Sequence, residues 1–238
     1  MMELSIGSLQ VMLIKKAIKN LHISVLPPEG KIRVSAPEQM SDDIIRMAIV
    51  QRMAWIKKQQ RAFQAQPRQS DRQMVGGESH YLWGKRYRLE VITQQGKHQL
   101  IKQGVNKLTL MVNPNTSTEN KQKVINDWYR AQLKQALLPL QDKWQQKLGV
   151  KASFIGIKRM KTKWGSCNPQ SARIWLNLEL VKKPKECLEY ILVHELVHLL
   201  ERHHNDHFLA LMTKHLPKWR TYKQLLTETS IAEEKWDY

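Results

Sequence analysis

His194-Glu195-Leu196-Val197-His198 spells H-E-x-x-H inside the apolar run from Ile191 to Leu200. On a helix, residues four apart lie on one face, about one turn from each other. Both imidazoles can therefore reach a single metal ion, with the Glu195 carboxylate beside the coordination position that the protein leaves open. Each residue type has its task. Two neutral ring nitrogens suit zinc, and a carboxylate can take the proton from a water that the metal has acidified.

A hydrolytic zinc site usually takes three protein ligands plus water. Downstream stand Glu201, His203, His204 and His207. Were the helix to run on, His204 would point away from the ligand face, because six residues at about 100° each end roughly 240° past a full turn. It can coordinate only where the helix ends near Glu201 to His203 and the chain turns back. A metzincin makes that turn with a glycine three residues after the second His. This chain has Glu201 there and does not fit the metzincin pattern. Asn205-Asp206 can supply the turn instead, since both types tolerate left-handed geometry. Glu201 lies seven residues from His194 and stays near the ligand face, as an alternative ligand or a partner behind one. The order of candidates for the third ligand is His204, Glu201, then His207 and His203.

A helix of this kind needs a scaffold, and 238 residues suffice for one large domain or two small ones with a real core. Two cysteines, Cys167 and Cys187, argue against a disulfide framework and suit a reducing cytoplasm. No stretch approaches the length that spans a bilayer. The N-terminus has neither a basic start before its apolar patch nor an A-x-A site, so no signal peptide is expected. Net charge is +18, spread along the whole chain, and mean hydropathy is −0.53. That excess suits contact with nucleic acid, an anionic surface or acidic substrates, and it suits plain solubility as readily.

Alternating apolar residues predict strands at Leu21 to Val25 and Lys31 to Ser35, with Pro27-Pro28-Glu29-Gly30 turning between them. Ser41-Asp42-Asp43 reads as the capped, acidic start of an amphipathic helix over 41–64. After a polar loop over 65–78, Tyr81 to Val91 reads as a hairpin turning at Gly84, and further strands are predicted near Gln99 to Lys102 and Lys107 to Val112. Asn113-Pro114-Asn115 divides the chain into a strand-rich N-terminal region, 1–115, and a second domain, 116–238. The second domain opens with a long helix from Thr118 to about Leu148, kinked or split at Pro139 and ended by Gly149. Ala152 to Arg159 and Arg173 to Leu180 read as strands of a small antiparallel sheet, and the helix bearing His194 and His198 begins near Pro184. An edge strand before such a helix can border a cleft and pair with an extended peptide. Apolar residues from Phe208 to Trp219 form a face to cover that helix, and Thr227 to Tyr238 reads as a short helix or frayed tail. The fold class is α+β.

Three segments taken together look familiar. They are Met160 to Cys167, ending in Trp164-Gly165-Ser166-Cys167, then Trp175-Leu176-Asn177-Leu178, then Val193 to Glu201 with His204 to Phe208. These resemble the YgjP-like metallopeptidases, also called the DUF45 or M48-type family and related to SprT-like and WLM zincins. The N-terminal strand pair, Trp55-Ile56 and Tyr81-Leu82-Trp83-Gly84 carry the likeness over nearly the whole chain. The pattern departs from it at two places. Lys163 stands where members commonly have Arg, and His203-His204-Asn205 stands where Asn-His-Ser is common. The resemblance implies a zincin-like catalytic domain that holds Zn2+ through His194, His198 and His204 and uses Glu195 as general base on protein or peptide substrates. Trp164, Gly165, Ser166 and Asn177 are expected to contact the substrate, and Cys167 to be a small buried residue. The SprT-like kinship and the basic charge give an alternative, a nucleic-acid-associated protein whose zinc site acts on DNA-bound proteins.

Overall fold

Every second residue of Leu9-Val11-Leu13 and of Ile32-Val34-Ala36 is buried, the pattern of strands with one face on a core. In the computed structural model, which describes residues 2–7, 9–26, 30–65, 73–160 and 163–228, these segments are β2 (Leu9–Lys16) and β4 (Lys31–Pro37). With β1 (Met2–Ile6) and β3 (His22–Leu26) they form a sheet ordered β1-β2-β4-β3. The central pair β2 and β4 runs parallel and the outer pairs antiparallel. The predicted Pro27-Pro28-Glu29 turn, residues 66–72 of the predicted loop and the C-terminal stretch from 229 lie outside the described residues.

The helix predicted over 41–64 is two helices, α1 (Asp42–Gln51) and α2 (Met53–Ala65). Ser41 caps the first as expected, its Oγ accepting from the Ile44 amide at 3.5 Å. At Arg52 the backbone reaches φ −98° and ψ 9°, and its N–H turns to the Ile49 and Val50 carbonyls. The second helix, so re-aimed, adds Ile56 to the core that holds Ile45 and Ile49. No glycine or proline marks the break.

The chain divides into two compact units, within residues 1–69 and 70–231. In the second, β5 (Ser79–Leu82), β6 (Lys85–Thr93), β7 (Gln99–Gln103) and β8 (Lys107–Val112) form a sheet ordered β5-β6-β8-β7, again with its central pair parallel. The β5–β6 turn is Trp83-Gly84, with φ of 51° and 79°. Positive φ at both central residues is what a tight hairpin turn asks for. Helix α3 (Thr118–Leu148) starts at Ser117, whose side chain accepts from the Asn120 amide, and ends at left-handed Gly149. It runs unbroken for 31 residues through Pro139. Pro139 and Gln135 are both exposed, so water can satisfy the Gln135 carbonyl that loses its donor.

Strands β9 (Phe154–Lys158), β10 (Gly165–Asn168) and β11 (Arg173–Asn177) make a third sheet, ordered β10-β11-β9. Several expectations change here. The segment Gly165-Ser166-Cys167-Asn168, between the two predicted strands, is itself a strand. The chain also passes from β9 to the far edge before returning to the middle, so β11 is antiparallel to β10 but parallel to β9. The sheet is therefore mixed, not antiparallel, and β11, the strand before the helix bearing His194, is its middle strand and not the expected edge. The strand expected to reach Leu180 ends at Asn177, whose side chain accepts from the Glu179 amide and opens a 3-10 helix, Leu178–Lys182.

Helices α4 (Lys185–Val197), α5 (Asp206–His215) and α6 (Trp219–Glu228) complete the unit. Helix α4 is its centre, with Cys187, Leu188 and every residue from Tyr190 to Val197 buried. Trp144 of α3 donates its indole N–H to the Glu189 carboxylate at 2.9 Å, and Tyr190 stacks on Trp219 of α6 at 6.4 Å. Among the described residues the fold is α+β, with six α-helices and three small mixed sheets. None of its helices is long and apolar enough to cross a membrane.

Candidate metal centre

The chain leaves α4 by tightening. The Leu199 and Leu200 amides bond the Leu196 and Val197 carbonyls three residues back, at 3.0 and 2.9 Å. The helix thus stops at Val197, earlier than Glu201. Asn205 then caps α5 in an extended conformation (φ −85°), its Oδ1 accepting from the Phe208 amide at 3.0 Å. Among the described residues, no position between His198 and Asn205 has positive φ. The return of His204 therefore needs neither a glycine nor a left-handed Asn. It takes a short non-helical loop between two capped helices.

Glu201 holds that loop closed. Its Oε1 accepts from the His203 amide at 3.0 Å, and its Oε2 lies 3.5 Å from Nδ1 of exposed His207. These bonds lower the Glu201 carboxyl from the usual range, the His203 amide contributing most. The Glu201 carbonyl takes a further bond, from Nδ1 of His198 at 3.1 Å. A carbonyl can only accept, so the His198 proton is on Nδ1 and the lone pair on Nε2.

Three Nε2 atoms meet at the end of α4. Those of His198 and His194 are 3.2 Å apart, those of His204 and His194 3.0 Å, and those of His204 and His198 3.1 Å. His203, His207 and Glu201 are not part of this group, which among the described residues is the cluster able to hold a metal. Burial, and then the neighbouring imidazoles, push His194 down to about 2, and burial is also the first cause lowering His198 and His204. All three rings are therefore neutral at ordinary pH, the form in which an imidazole can bind a metal. A tetrahedral ion with Zn–N bonds near 2.0–2.1 Å asks for nitrogens about 3.3 Å apart, so the triangle fits such an ion. Phe208 supports it from α5, its ring 5.0 Å from that of His194 and 4.8 Å from those of His198 and His204.

Glu195 is 2 % exposed. Burial pushes its carboxyl up to about 8, with the Lys163 charge pulling the other way. Such a carboxylate is a stronger base than a solvated one. Its neighbour is β10, at the sheet edge: the space beside Gly165 is filled by the Glu195 side chain. Cys167, on the same strand, has its thiol pushed up to about 12 by burial and the Glu195 charge. It is a poor nucleophile there.

The other residues expected at the substrate are placed as follows. Trp164 is buried, its carbonyl accepting from the Asn177 amide at 2.8 Å and its ring under Lys183. Ser166 is half-buried on β10. Asn177 is fully buried, and its side chain bonds both the N–H and the carbonyl of Met160 and the carbonyl of Lys163. It clamps the crossing between β9 and β10.

Sequence reasoning gave no role to Phe208 beyond an apolar face, nor to the β5–β6 turn beyond a hairpin. That turn fastens the entry to α4. The Trp83 and Gly84 amides donate to the Val181 and Lys182 carbonyls at 2.8 and 3.1 Å, and a Cβ on Gly84 would come within 3.1 Å of Pro184. Tyr129 of α3 donates its hydroxyl to the Tyr81 carbonyl at 2.9 Å and so braces β5.

A family model described as YgjP-like, metallopeptidase domain, matches residues 19–229. Among solved structures the chain is similar to the metallopeptidase zymogen of Pyrococcus abyssi abylysin, with 22% identity and a TM-score of 0.35. The match covers 38% of this chain and 91% of that one. No curated protein matches the sequence.

Proposed function

The chain belongs to the YgjP-like metallopeptidase family, and from that premise we propose that it cleaves peptide bonds with zinc held by His194, His198 and His204 and with Glu195 as general base. The observation that carries this reading is the convergence of three neutral Nε2 atoms within 3.0–3.2 Å of one another. Bound there, zinc would polarise the scissile carbonyl and acidify a nearby water. Glu195 takes the proton from the attacking water and delivers it to the leaving amine. The Glu201 carbonyl keeps His198 in the tautomer that presents its lone pair, and the Glu201 carboxylate keeps His204 in reach by closing its loop. Strand β10, at the sheet edge, offers main-chain groups with which an extended substrate pairs. In this reading residues 116–238 form a zincin-like catalytic portion, whose described residues, to 228, lie inside the compact unit 70–231.

Glu195→Gln is expected to keep zinc and to lose at least about 100-fold in hydrolysis of an unfolded protein such as casein. Wild-type turnover by that variant would refute the mechanism. Metal analysis after dialysis assigns the third ligand. His204→Ala is expected to lose zinc and His203→Ala to retain it.

A further inference from the structure

Gly165 is the first residue of β10, paired with Leu176 across the strand, and its φ is not in the left-handed region. Its backbone would accept any residue, so the reason for a glycine must lie in the space beside it. A Cβ added there would lie 2.4 Å from Oε1, 2.7 Å from Cγ and 2.8 Å from Cδ of Glu195, and these are its three nearest heavy atoms. Contacts between such atoms are favourable only from roughly 3.5 Å outward. All three belong to one side chain with rotatable bonds. An added methyl group therefore displaces the carboxyl and leaves strand and helix where they are.

We propose that Gly165 is a positioning residue for Glu195, leaving the space in which the edge strand holds the carboxyl in line with the attacking water. The catalytic consequence rests on the peptidase mechanism proposed above, whereas the packing relation between the two residues stands without it. The glycine of Trp164-Gly165-Ser166-Cys167 thus acts on the base and need not touch the substrate. Its counterpart in space lies on a different element, which makes Gly165 and Glu195 one functional pair.

The test uses the full-length, zinc-loaded protein. Gly165→Ala is expected to lower kcat on casein about 100-fold, the effect of misplacing a catalytic group by an ångström, with KM little changed and one zinc retained. A thermal-unfolding cycle reads the same relation without turnover. Gly165→Ala lowers Tm in the wild-type background, but leaves it unchanged or raises it in the Glu195→Ala background, where the space has been vacated. Should Gly165→Ala alone be too unstable to purify, recovery of a folded protein on adding Glu195→Ala is the same result in stronger form. Equal Tm losses in the two backgrounds, or a wild-type kcat in Gly165→Ala, would overturn the assignment. If the wild-type protein cleaves nothing while the cycle still shows the coupling, the mechanism fails and the positioning pair survives.

Discussion

Two four-stranded sheets in this protein have the same strand order and the same pattern of pairing. In each, strands one and two are antiparallel, two and four parallel, and three and four antiparallel. Each is also followed by helix. The first sheet is fastened within its own unit: Gln60 donates to the carbonyl of left-handed Gly30 at 3.0 Å, and Lys15 pairs with Asp42 at 2.8 Å. The second offers the amides of its first turn to the 3-10 helix that leads into α4. The helices differ in the same sense. Helix α1 leaves Ile44, Met47 and Val50 more than half exposed, whereas α3 buries Ile125, Tyr129, Leu133 and Leu137. Topology alone therefore assigns no task to a sheet. The task comes from the few backbone groups a turn presents to the next element.

Two glycines allow a matched test of that contrast. Gly84 (φ 79°) lies 3.1 Å from Pro184 by its absent Cβ, and Gly30 (φ 72°) lies 3.0 Å from Gln60. A β-branched residue at either position is strained by its backbone and crowded by its neighbour. Gly84→Val is expected to have the largest effect, about 3 kcal/mol of stability with a weaker zinc affinity, read by urea unfolding and by competition with a chelator. Gly30→Val is expected to cost about 2 kcal/mol while leaving zinc affinity at the wild-type value. If both substitutions weaken zinc equally, the contrast between the sheets is wrong. Tyr129→Phe removes the brace on β5 and is expected to cost about 1 kcal/mol. Ile44→Ser, on the open face of α1, is expected to stay within about 0.5 kcal/mol of wild type.

What the sequence made readable was local. Spacing placed His194 and His198 on one helical face, and it showed that His204 could join them only across a bend. The chemistry of that bend was not readable. The i to i+3 bonds that end α4 depend on backbone geometry, and Asn205 proved to be an extended cap, a role open to the same residue type as a left-handed turn. Strand β10 was hidden because Gly-Ser-Cys-Asn has little strand preference of its own and is made a strand by pairing with β11. The break at Arg52 had no glycine or proline to announce it. Nor could the need for glycine at position 165 be read, since the atoms that demand the space belong to another element. The likeness of the two sheets left no trace as a repeat because hydrogen bonding, not residue identity, defines it.

Helix α4 is enclosed on all sides from Tyr190 to Val197, and this limits how the enzyme can be altered. Hardly any position in that stretch can change size without disturbing packing all round it. On the proposed mechanism, new substrate preferences, whether selected in nature or sought in a laboratory library, arise at the rim: the outer residues of β10 and the exposed loop residues Leu200, Arg202 and His203. A randomised library confined to those few positions should yield altered cleavage in proteins that still fold, whereas diversity placed within α4 should mostly be lost to misfolding.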